Sequence, residues 1–88
     1  MRIKPGVLLK KIAGSYMAIP VGDSYNAVGA VISLNDSGAF LWQCLEQEQS
    51  PKELRDALAE EYKIEDALAQ QAVTEFLAML REQGLLEE

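Results

Sequence analysis

The sequence predicts an α+β domain: three antiparallel strands followed by three helices. Two observations predict it. Residues 1–35 are rich in Val, Ile, Tyr and Gly, the residues of strands and turns, whereas residues 36–88 are rich in Ala, Leu, Glu and Gln, the residues of helices. Charge divides at the same point. Four basic residues against Asp23 give the first part +3, and four basic against thirteen acidic residues give the second −9. A run of strands followed by a run of helices implies an α+β layer arrangement. The 88 residues suit one domain over residues 1–88, and 49% hydrophobic content is enough for a core.

The first strand is expected over Val7–Ile12, a turn at Ala13-Gly14-Ser15, and the return strand over Tyr16–Pro20, where proline ends ladder donation. Gly22-Asp23-Ser24 reads as a loop and Val28–Leu34 as the third strand, with Val28, Ile32 and Leu34 sharing one face. The small Gly29 and Ala30 let another backbone approach that strand.

Asn35 reads as the N-cap of a first helix from Asp36 to about Gln47, with Leu41 and Leu45 one turn apart and Gly38 and Trp42 beside them. Ser50-Pro51-Lys52-Glu53 is a capping box with proline at the first helical position. It opens a second helix to about Tyr62, with Leu54, Ala57 and Leu58 facing inward. After Lys63-Ile64-Glu65, a third helix spans Asp66 to Gln83 and stops at Gly84. Leu85 and Leu86 are apolar enough to fold back on the body.

The third helix is unusually apolar around its circumference. Ala69, Val73, Phe76 and Leu80 form the stripe centre, Leu68, Ala72 and Met79 widen it to one side, and Leu77 widens it to the other. A stripe covering about half the helix exceeds the ~100° that one core contact needs. Either the domain wraps the helix fully, or one margin lines a groove for a partner.

Absent residues exclude several functions. Without histidine, neither a Ser-His-Asp nor a Cys-His nucleophile can be assembled from this chain. The single cysteine, Cys44, forms no internal disulfide and no cysteine zinc site, and reads as a small buried hydrophobe. The acidic residues Glu60, Glu61, Glu65 and Asp66 match no calcium loop and read as a solvated helix junction. Nothing places two carboxylates in one apolar cleft, so no catalytic residue, cofactor or metal is expected.

No apolar run reaches the ~20 residues of a membrane span, and Val7–Leu9 is too short for a signal segment, so a cytoplasmic location without membrane contact is expected. Lys10 and Lys11 read as solvated strand charges, Tyr16 and Tyr25 as packing across the sheet, and Trp42 as core.

A hairpin, a third strand and three helices make a small winged-helix-like domain. The stretch Leu34-Asn35-Asp36-Ser37-Gly38-Ala39-Phe40-Leu41-Trp42 resembles the PqqD-like proteins, the RiPP recognition elements of peptide-modifying systems. The resemblance continues through Ser50, Glu53-Leu54, Leu58 and Tyr62, then Val73, Phe76-Leu77, Leu80 and Gly84-Leu85-Leu86. It implies a non-catalytic module that binds the leader segment of a ribosomally made precursor peptide. It also implies a partner that modifies the peptide, such as a radical SAM enzyme or a protease or cyclase. In the resembled family the leader adds as an antiparallel strand beside the third strand, against the third helix.

Carried onto this chain, the peptide-binding residues are Val28, Gly29, Ala30, Val31, Ile32, Ser33 and Leu34, with Val73, Phe76 and Leu77 receiving apolar anchors. Should the other margin of the helix face the groove, Leu68, Ala72 and Met79 take that role. The physics is independent of the resemblance: an open sheet edge offers unpaired N–H and C=O groups to an extended peptide.

Two other classes compete. A DNA-binding winged helix needs cations on its recognition helix, but the third helix offers Arg81 against Asp66, Glu75 and Glu82, so no nucleic-acid partner is expected. A self-associating scaffold pairs the same strand edge with a second copy, giving a homodimer.

Overall fold

A computed structural model describes residues 1–21 and 31–88. It has the α+β architecture the sequence predicts, with one addition at the termini. The elements are β1 (Arg2–Ile3), β2 (Val7–Ile12), β3 (Ser15–Pro20), β4 (Ile32–Leu34), α1 (Asp36–Cys44), α2 (Pro51–Tyr62), α3 (Asp66–Glu82) and β5 (Leu86–Glu87). β2, β3 and β4 form an antiparallel sheet in that order, and β1 pairs with β5.

The β2–β3 hairpin turns on Ala13 and Gly14, both at positive φ (52° and 82°). That conformation matches the right-handed twist of the flanking strands. Register pairs Val7 with Pro20, Leu9 with Ala18, and Tyr16 with Leu34. These alternate residues turn one sheet face onto the helices: Val7, Ala18 and Leu34 are buried, and Leu9, Tyr16 and Ile32 pack against them.

The third strand is described over Ile32–Leu34. Val31 precedes it, half-exposed. Val28, Gly29, Ala30 and Tyr25 lie outside the described residues.

Capping sets the helix starts. Asn35 Oδ1 accepts the Gly38 N–H at 2.8 Å. Ser50 Oγ accepts the Glu53 N–H at 3.1 Å, while Glu53 Oε1 accepts the Ser50 N–H at 2.9 Å. α1 ends at Cys44, one turn before the expected Gln47, and the Leu45 N–H closes on the Leu41 carbonyl. α3 ends in a Schellman arrangement. Gly84, at φ 71°, donates to Arg81 O at 3.1 Å, and Leu85 donates to Leu80 O at 2.9 Å.

Leu41, Trp42, Leu45, Leu54, Leu58, Ala69, Val73, Leu80 and Leu85 form the core between helices and sheet. Trp42 is buried, as its spacing to Leu45 predicts.

Candidate functional site

β4 is the last strand of its sheet, so among the described residues one of its sides has no strand partner. Beside that edge lies a groove of about 320 Å³ between β4, the start of α1 and one margin of α3. Leu34, Leu41, Phe76, Ala72 and Met79 give it apolar walls. Ser33, Asn35, Ser37 and Glu75 add polar groups, and Gly38 completes the lining.

Each wall has a local cause. Only Asn35 separates β4 from α1, so the first turn of α1 must stand beside the end of the strand. The glycine at 38 keeps that turn close to α3. A Cβ added there would meet Asn35 Oδ1 at 3.0 Å and Phe76 Cε1 at 3.6 Å. Residues 72, 75, 76 and 79 recur at helical spacing and form one margin of α3.

The α3 residues named from the sequence fall in two places in the fold. Phe76 lines the groove, but Val73 is 0% exposed and Leu77 4%, and neither lines it. Both belong to the core cluster, on the side of α3 that packs chiefly against α2. The groove instead uses Ala72 and Met79, two residues of the other margin, while Leu68 is exposed and outside the lining. On the strand, Ser33 and Leu34 line the groove. Ile32 packs against the core, and Val31 is solvent-facing.

Asn35, Ser37, Gly38, Leu41 and Glu75 also line the groove; from the sequence Asn35 is a cap, Gly38 and Leu41 are packing positions, Ser37 is part of the family-like stretch, and Glu75 is only an acid on the third helix. The direct passage from strand to helix at Asn35 is the signal that could have found the first four.

Elsewhere, a second cavity of about 300 Å³ is lined by Lys11, Tyr16, Asp36, Ala39, Phe40, Gln43 and Tyr62. The Lys11 ammonium stands 5.1 Å from the Tyr16 ring centre, and Phe40 meets Tyr62 edge-on at 6.0 Å. Desolvation raises the Tyr62 phenol above its ordinary pKa, with Asp36 and Glu61 adding to the effect. Burial also raises the Cys44 thiol, so it is held protonated rather than activated. Among the described residues no three metal-ligating side chains gather, and no helix is long and apolar enough to cross a membrane.

Comparison with known proteins gives the arrangement a context. A solved structure described as TbiB1 in complex with the TbiA(beta) leader peptide is 24% identical. It superposes with a TM-score of 0.76 over 99% of this chain and 95% of its own. A second, a lasso peptide synthetase B1 complexed with the leader peptide, is 21% identical with a TM-score of 0.74, over 99% and 96%. At these identities the likeness establishes the fold. No curated protein matches this chain. The model of the family of coenzyme PQQ synthesis protein D matches residues 12–86. A match over that span, on a chain with the fold and strand-to-helix passage described above, makes this protein a member of the PqqD family.

Proposed function

We propose that residues 1–88 act as a single non-catalytic domain that binds the leader segment of a ribosomally made precursor peptide and presents it to a separate modifying enzyme. The observation that carries this reading is the side of β4 that has no strand partner among the described residues, beside an apolar groove against α3. An extended peptide completes the ladder at such an edge through backbone pairing, which supplies affinity without reading sequence. Alternate side chains of the peptide then enter the groove, where Leu34, Leu41, Ala72, Phe76 and Met79 favour apolar anchors. The two similar structures support the reading, since each holds a leader peptide on the same fold.

The test is titration of labelled protein with the leader of a precursor peptide encoded beside it, followed by NMR. Shifts are expected at Ile32–Leu34, at the first turn of α1 and at Ala72, Phe76 and Met79. Ala72→Glu puts a charge on the groove wall and is expected to weaken binding about tenfold or more. Shifts confined to other surfaces would dismiss this site, and no binding to any such leader would dismiss the function.

A further inference from the structure

The groove beside β4 has a sign. Among the described residues its lining includes one carboxylate, Glu75, and no Lys or Arg. Glu75 lies on α3 between Ala72 and Met79, the apolar residues of the same margin, and Glu82 follows at helical spacing beyond Met79. Gln71 Nε2 donates to Glu75 Oε1 at 3.4 Å, a long contact from a neutral group, and no cation pairs with Glu75 among the described residues.

The cations of the chain are placed elsewhere. Residues 21–35, which include β4, carry Asp23 as their only charge. Lys10 and Lys11 stand on β2, with β3 between them and β4. Arg81, the one cation of α3, lies half a turn around the helix from Ala72 and pairs with Glu88 at 3.0 Å. A peptide in the groove therefore meets Glu75 with no positive side chain in the lining to offset it. Covering the groove takes water from that carboxylate, a cost that a cation on the peptide offsets and an acid on the peptide increases. A long basic side chain suits this wall, because its aliphatic stem lies on apolar surface while its charged head reaches a carboxylate at the rim.

We infer that Glu75 selects the leader by charge: the segment that pairs with β4 carries a Lys or Arg beside its apolar anchors, its stem along Ala72 and Met79 and its head on the Glu75 carboxylate. The inference rests on the leader-binding reading and names the class of peptide that the same groove takes. Although residues 1–35 carry +3, none of their Lys or Arg side chains lines the groove, so that charge does not favour an acidic segment there.

The experiment is calorimetric titration of the full chain with the synthetic leader of the precursor peptide encoded beside it, and with versions in which each Lys or Arg is changed singly to Gln. Glu75→Gln is expected to weaken binding about threefold and Glu75→Lys about tenfold, and the exposed position leaves both variants folded. One leader substitution is expected to cost about threefold against the wild type and nothing against Glu75→Gln, which identifies the paired residue. Higher salt is expected to weaken the wild-type complex more than the Glu75→Gln complex. Equal or tighter binding by Glu75→Lys, or a leader whose affinity no basic residue affects, would overturn the inference and leave the leader reading in place. A leader that binds neither the wild type nor the variants overturns the leader reading, and the inference falls with it.

Discussion

Ala13 and Gly84 show how single residues set local stability here. Both sit at positive φ, Ala13 at 52° in the hairpin turn and Gly84 at 71° after α3. Ala13 carries a β-carbon in a region that disfavours one, and asparagine tolerates that region better. Ala13→Asn creates the preferred Asn-Gly turn and is expected to stabilise the fold by about 0.5–1 kcal/mol, read from the urea midpoint. Gly84→Ala is the converse. An added Cβ meets nothing within 4 Å, so the cost is backbone strain alone, about 1–2 kcal/mol. Cys44 offers a chemical check. Desolvation raises its pKa, and a raised pKa on an acid keeps the neutral thiol dominant to higher pH than in the unfolded chain. Alkylation by iodoacetamide near pH 8.5 is therefore expected to run slower in the folded protein than in urea, and equal rates would contradict the burial.

At the scale of the element, α3 separates two kinds of leucine. Leu80 is fully buried, whereas Leu68 on the margin is 55% exposed. Leu80→Ala is expected to cost about 2–5 kcal/mol, and Leu68→Ala about 0.5 kcal/mol or less, in chemical denaturation. The helical stripe was legible in sequence, because Ala69, Val73, Phe76 and Leu80 repeat at 3.6-residue spacing and are all buried. Its excess width was legible too. The margin facing the groove was not, since that depends on how α3 is rotated against β4, and periodicity carries no such information. Val73 and Leu77 therefore belong to the core, while Ala72 and Met79 reach the groove. The N-caps of α1 and α2 and the glycine stop of α3 were legible because each is a local hydrogen-bonding pattern.

The whole molecule is closed by a contact that local patterns could not reveal. β1 and β5 have two residues each, too short for a period-2 signal, yet they pair Arg2 with Glu87 and Ile3 with Leu86. The Ile3 N–H donates to Leu45 O and the Lys4 N–H to Leu85 O, both at 2.9 Å, so this segment ties the end of α1 to the end of α3. Leu85 is 0% exposed and Leu86 8%, so the clasp also seals the core. Removing residues 85–88 takes away two buried leucines, about 3–6 kcal/mol of burial, from a domain whose total is expected to be about 5–15 kcal/mol. The Schellman bond from Leu85 to Leu80 O and the pairing of β1 disappear with them. The shortened chain is expected to lose most of its cooperative thermal transition, whereas Leu86→Ala retains a cooperative but lower one. Under the proposed leader-binding function, affinity for the peptide should fall in proportion to the folded fraction, because α3 holds one wall of the groove. A shortened chain that melts cooperatively within about 2 kcal/mol of the full one would show that the helices and the three-stranded sheet are self-sufficient.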